Sequence, residues 1–167
     1  MVKNIQFRQA TFQDLELLAE LESACFSKAE AASKERICER LKAYASCFML
    51  MIKDHDLIGM INGMRTFENS LRDEMYENTA LHSEDGTWQM VFSVCIAPKE
   101  QGRGLGHVIL QKYIEQVHKN THCQGLVLTC KERLLKFYAQ HDFKDEGLSC
   151  SEHGDVQWHQ MRLTFKN

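Results

Sequence analysis

No run of lysine and arginine in this chain is long enough to make a basic block, and the formal charge is -3. Proteins that grip DNA or RNA need a basic face to neutralise phosphates, so no nucleic-acid partner is expected. No apolar stretch approaches the roughly 20 residues of a membrane span, and the opening MVKNIQFRQATFQDL lacks the apolar centre of a secretion signal. These absences point to the cytoplasm, with no membrane partner. The seven cysteines (25, 38, 47, 95, 123, 130 and 150) contain no C-x-x-C pair, which argues against both a disulfide framework and a structural zinc site. They read as reduced, mostly buried small side chains. His118, His122 and Cys123 have zinc-like spacing without a matching second half, so they are expected at the surface and no metal is anticipated. Proline occurs once, at position 98, and no repeat or low-complexity linker interrupts the chain.

What is present suffices for one core. With 167 residues and 44% hydrophobic content, residues 1–167 are expected to form a single domain. IQFRQAT (5–11) reads as a strand, and Thr11 with Asp14 starts a helix carrying Leu15, Leu18, Leu21 and Cys25 at helical spacing. Ile37, Leu41 and Tyr44 mark a second helix, and residues 48–64 read as two strands joined at a polar turn around Asp54 to Asp56. The rhythm then stops: residues 65–87 are polar and acid-rich, an irregular excursion or a short helix flanked by loop. WQMVFSVCIA (88–97) is almost continuously apolar, as expected of one central strand covered on both faces, and Pro98 ends it. A helix with Leu105, Val108, Ile109, Tyr113, Ile114 and Val117 on one stripe follows, then a strand at 125–130, a short helix at 133–141 and a closing strand at 155–165. The expected class is α/β (α+β), with a strand, loop, helix and strand unit over 88–130.

The segment APKEQGRGLGHVILQKY (97–113) puts three glycines between a strand and a helix. Glycine lets backbone N–H groups approach an anion closely, and the helix N-terminus adds favourable partial charge; a tight turn needing positive φ is the plain alternative. The dinucleotide pattern G-x-G-x-x-G fails from either Gly102 or Gly104, because His107 or Ile109 stands where the third glycine belongs. The Gly-Lys-Ser/Thr triplet of a nucleotide-triphosphate loop and the signature of a protein kinase are also missing.

What remains, Gln101-x-x-Gly104-x-Gly106, is the Q/R-x-x-G-x-G/A pattern, and with VFSVCIAPKEQGRGLGHVIL, LVLTC and LLKFYAQHDF in order the chain resembles the GNAT superfamily of N-acetyltransferases. ESACF, TALHSEDG and LVLTCKERLLKFYAQHDF make the resemblance closest to the arylalkylamine (serotonin-type) enzymes and their bacterial relatives. It implies a GNAT fold, a mixed and mostly antiparallel sheet flanked by helices and split near the signature strand, with acetyl-coenzyme A as cosubstrate. Pantetheine would pair with Val94, Cys95 and Ile96, and pyrophosphate would meet the amides of Gly102, Arg103, Gly104, Leu105, Gly106 and His107, with Arg103 adding charge. Tyr138 would give a proton to the departing thiolate. That step is chemically reasonable, since a phenol of pKa about 10 can protonate a thiolate whose acid lies near 8.5.

The resemblance also exposes a departure. Where the serotonin-type enzymes have two histidines relaying the amine's proton, this chain has Met90 and Phe92. On one strand Met90, Phe92 and Val94 would share a face, giving the acceptor site an apolar floor. Other groups must then take the amine's proton, and His82, Glu84, Asp85 and His159 are the options. Six acids of the excursion, Glu68, Asp73, Glu74, Glu77, Glu84 and Asp85, would steer a cationic amine, and Trp88 or Trp158 would suit an apolar one. Cys95 and Cys130 lie in apolar runs that stabilise a thiolate poorly, so direct attack on the thioester is expected. The expected acceptor is a small aryl- or alkylamine. A peptide or protein amine, and a non-catalytic acyl-coenzyme A binding module, stay open, as does the oligomeric state, a homodimer included.

Overall fold

The computed structural model describes residues 4–151 and 156–166, and the chain divides into two compact units: Met1–Asn62 with Ser93–Tyr113, and Gly63–Phe92 with Ile114–Asn167. The first holds Ile5–Gln9 (β1), Leu15–Cys25 (α1), Lys34–Tyr44 (α2), Phe48–Lys53 (β2), Asp56–Asn62 (β3) and Ser93–Ile96 (β6). Its sheet runs β1-β2-β3-β6, every pair antiparallel. The expected polar turn joins β2 to β3: Asp54 and His55 both take positive φ (49° and 74°), the conformation that matches the twist of a two-residue hairpin. Ile37, Leu41 and Tyr44 are all buried, as the helical spacing requires.

The start of α1 is fixed by a polar lock. Arg8 on β1 donates two hydrogen bonds to the Asp14 carboxylate, each 2.8 Å, and the Thr11 N–H donates a third at 2.7 Å. The Arg8 guanidinium and these donors hold the Asp14 carboxyl below the usual range. A depressed carboxyl stabilises the fold above its unfolded pKa of about 4 and loses that contribution as pH falls through the lower folded value. Asp14→Asn is therefore expected to cost about 1–2 kcal/mol at neutral pH, read by urea denaturation, and the difference from wild type should shrink in acid.

The second unit holds Arg65–Thr66 (β4), Asp73–Glu77 (α3), Trp88–Val91 (β5), Gly125–Cys130 (β7), Leu135–Ala139 (α5), Lys144–Leu148 (β8) and His159–Thr164 (β9). Its sheet order is β4-β5-β7-β9-β8, with β5 and β7 parallel and the other pairs antiparallel. The long helix Leu105–His118 (α4) gives its first nine residues to the first unit and the rest to the second. Leu105, Ile109, Tyr113, Ile114 and Val117 are buried on it, with Leu110 taking the place expected of Val108. No helix of the described residues is long and apolar enough to cross a membrane.

Three expectations change. The single strand at 88–97 is two strands in different sheets, β5 and β6, broken at Phe92; Met90, Phe92 and Val94 therefore do not share one strand face. A continuously apolar run has no period to mark where a chain changes sheets. The helix at 133–141 contracts to a turn at Glu132–Leu134 followed by five residues of α5. The closing strand starts at His159, and residue 155 lies outside those described. Strand β8, KDEGL, is polar and mostly exposed at the sheet edge, so no apolar alternation announces it.

Candidate active site

In the first unit, β6 ends the sheet. Ala97 donates its N–H to Ile58 (2.7 Å), opposite it in register. Because hydrogen-bonded and non-bonded pairs alternate along an antiparallel ladder, Cys95 exchanges bonds with Met60 on β3. Val94 and Ile96 then turn their N–H and C=O groups toward the free edge. Of the three residues expected to meet pantetheine, two thus turn their backbone outward and Cys95 spends its groups inside the sheet. The Ile96 carbonyl confirms the direction: it accepts the Gln101 side-chain amide (Nε2, 2.9 Å) and the Cys25 thiol (3.2 Å). Gln101 therefore folds the loop back onto the strand it leaves.

The loop has the alternating φ from which anion-binding nests are built. Gly102 and Gly104 both have φ of +80°, and Arg103 between them does not. Such alternation turns successive N–H groups toward one point and makes an anion-binding concavity. A Cβ added at either glycine meets nothing within 4 Å, so these positions require glycine for backbone conformation and not for space. Gly104 also accepts the first helical bond, from Val108 (3.3 Å), which sets the nest at the positive end of the 14-residue α4. Around it Glu100 accepts from Lys53 on β2 (3.1 and 3.2 Å) and from Arg103 (3.3 Å). Gly106 and His107, half-buried, lie in the first turn of α4, and Leu105 is buried.

In the second unit, β5 and β7 pair from Trp88–Gly125 to Val91–Leu128 and then stop. Beyond that point Thr129 and Cys130 keep a partner only on β9. Phe92 stands at the same point, where β5 ends. Tyr76, on α3, sets its ring against Phe92 (centroids 4.8 Å apart) and its hydroxyl against Thr129 Oγ1 (3.1 Å). Met90 is fully buried. Tyr138 is buried on α5, edge-on to Phe137 and Phe143 (5.0 and 5.8 Å).

A family model, the acetyltransferase (GNAT) domain, matches residues 11–165. The chain belongs to the GNAT family. It is thus an acyl-coenzyme A-dependent acetyltransferase with the GNAT fold. No curated protein matches it in sequence. Its fold is similar to that of the loading GNATL domain of CurA from Lyngbya majuscula (TM-score 0.82, 17% identity, 96% of this chain and 97% of that one). It is also similar to PaiA N-acetyltransferase from Thermoplasma acidophilum in complex with coenzyme A (0.69, 17%, 96% and 99%). A third is Arabidopsis thaliana Naa50 in complex with the bisubstrate analogue CoA-Ac-MVNAL (0.74, 14%, 97% and 99%).

Several polar groups of this GNAT chain are already committed. His82, with a side chain 6% exposed, accepts the Arg65 N–H at Nδ1 (3.1 Å) and meets Glu84 through Nε2 (2.8 Å). Its Nδ1 lone pair is taken, so the ring holds the excursion in place. Arg72 binds both Glu68 and Glu74, so two of the six acids expected to steer an amine share one positive charge. His159 pairs through Nδ1 with Asp145 (3.2 Å). Trp88 is capped by the Arg162 guanidinium (4.7 Å) and Trp158 by Lys131 (5.9 Å). Reading the sequence alone missed Lys53, Tyr76 and Thr129; Lys53 lies 47 residues from its partner and Tyr76 lies 53 from Thr129, distances at which no spacing rule operates.

Proposed function

We propose that this enzyme transfers acetyl from acetyl-coenzyme A to the primary amine of a small aryl- or alkylamine by direct attack. The observation that carries the coenzyme half is the continuity of the outward backbone of Val94 and Ile96 with the Gly102–Gly104 nest at the start of α4. An extended pantetheine arm can add to that edge as a strand would, and the nest supplies N–H donors for pyrophosphate. Arg103, 60% exposed and bound to Glu100, contributes charge with Lys53. The complexes of PaiA with coenzyme A and of Naa50 with a coenzyme A conjugate support the same cosubstrate.

The amine half rests on Phe92 and its surroundings; Met90, expected beside it on the site's floor, is fully buried and offers no surface to a ligand. Phe92 with Tyr76 gives an aromatic wall, and the joined hydroxyls of Tyr76 and Thr129 give one polar point on it. That pair is the polar point that an amine nitrogen would meet on this wall. That suits a small amine with an apolar body. A thiol-release assay with acetyl-coenzyme A and a panel of arylalkylamines, polyamines and peptides tests this reading. Acceleration by arylalkylamines supports it; acceleration by peptides alone moves the acceptor to that class, and none despite coenzyme binding leaves a binding module. Tyr76→Phe keeps the ring contact and is expected to lower kcat/KM for the preferred amine about three- to tenfold, the loss of a neutral hydrogen bond, with coenzyme affinity unchanged.

A further inference from the structure

The mechanism leaves two thiols unused beside the coenzyme edge. Cys25 ends α1 and is half-buried; Cys95 lies on β6 and is buried. Both side chains lie where α1 packs against β6. Cys25 donates to the carbonyl of Ile96, the residue after Cys95 (3.2 Å), and Cys95 Sγ faces Glu22 Oε1 (3.7 Å). Glu22 precedes Cys25 by three residues on α1, so both side chains lie on one helix face. The Glu22 carboxylate is itself buried and accepts the Ala32 N–H (2.8 Å).

The two sulfurs differ in a useful way. Contact with the Cys95 thiol holds Cys25 below the usual thiol range, and burial pushes Cys95 well above it. The thiolate is the form that reacts, and Cys25 is the more exposed of the two.

We propose that Cys25 and Cys95 form a peroxide-sensitive disulfide that links the end of α1 to the coenzyme-binding strand. In the first step the Cys25 thiolate attacks one oxygen of a hydroperoxide. An S–O bond forms, the O–O bond breaks, and the alcohol, or water from hydrogen peroxide, leaves after taking a proton. In the second, Cys95 gives its proton toward Glu22 and attacks the Cys25 sulfur. The S–S bond forms, the S–O bond breaks, and hydroxide leaves as water with that proton. Two thiols lose two electrons and one peroxide gains them. The bond removes the Cys25 donor from the Ile96 carbonyl and the Cys95 donor from a buried carboxylate. Both losses disturb the edge assigned to pantetheine; this consequence rests on the acyl-coenzyme A reading, whereas the disulfide does not.

The full chain, reduced and then exposed to hydrogen peroxide, is alkylated with N-ethylmaleimide, digested and mapped by mass spectrometry, with exposed Cys150 as the reactivity control. The expected product is the Cys25 peptide joined to the Cys95 peptide, two hydrogens lighter, restored by dithiothreitol. Cys25→Ser removes the joined product, and Cys95→Ser leaves a Cys25 sulfenic acid that dimedone captures. Recovery of both residues as maleimide adducts while Cys150 is oxidised overturns the proposal, as does Cys25 passing to sulfinic acid without joining. Acetyl-coenzyme A is then titrated into the reduced and oxidised chains, and the oxidised chain is expected to bind roughly tenfold more weakly. Equal affinity of the two forms refutes the coupling and leaves the disulfide; binding to neither form counts against the acyl-coenzyme A reading alone.

Discussion

Tyr138→Phe is expected to lower the turnover of acetyl transfer by about 10²- to 10⁴-fold, the range for losing a positioned general acid, while acetyl-coenzyme A binds as before. The substitution suits the question because of what surrounds the ring. Tyr138 is 7% exposed and packs edge-on against Phe137 and Phe143, contacts that phenylalanine keeps. The hydroxyl alone is removed. In the proposed role, collapse of the tetrahedral intermediate expels a thiolate, and the Tyr138 hydroxyl would give it a proton. Stopped turnover with unchanged coenzyme affinity and unchanged thermal midpoint identifies an interaction made only in the transition state. Turnover equal to wild type would remove Tyr138 from the mechanism.

Gly104→Ala is expected to weaken acetyl-coenzyme A binding by about 5- to 30-fold, the equivalent of the roughly 1–2 kcal/mol that an L-residue pays in the left-handed region. Gly104 has φ of +80° and open space where a Cβ would stand, so no clash contributes. An alanine in the free protein relaxes toward negative φ, which disperses the converging N–H groups, and binding must restore them. The cost therefore falls on affinity, read by calorimetric titration. If the loop instead holds its conformation, the cost moves to stability and affinity stays. Unchanged affinity together with unchanged stability would show that the positive φ at 104 has no role. Gly102→Ala is expected to act in the same direction.

The glycine loop was legible because a backbone requirement leaves a compositional trace: only glycine takes φ of +80° without strain, and the spacing of 102, 104 and 106 could be compared with known phosphate loops. The amphipathic helices and the hairpin at Asp54–His55 were legible for the same reason, each having a period or a turn residue. The break at Phe92 was not. Both halves of the run 88–96 are apolar, and even Gln89 is buried there, its amide donating to the Met64 and Met90 carbonyls (3.1 and 2.9 Å). The direction of each backbone group on β6 also needed the register with β3. Tyr76 and Thr129 escaped notice because a hydroxyl pair across 53 residues has no local pattern, and the excursion that brings them together reads as solvated loop. The Cys25–Cys95 contact was hidden likewise, since each cysteine alone passes for a small core residue.

The central claim is that the free edge of β6, continued by the Gly102–Gly104 nest, holds acyl-coenzyme A. Amide hydrogen exchange, resolved by residue, tests it without knowledge of the amine. On saturation with acetyl-coenzyme A, exchange at Val94 and Ile96 and at the amides of the nest is predicted to slow, while Cys95, already bonded to β3, is predicted to be protected in both states. Bound acetyl-coenzyme A with no change at Val94, Ile96 or the nest would contradict the claim.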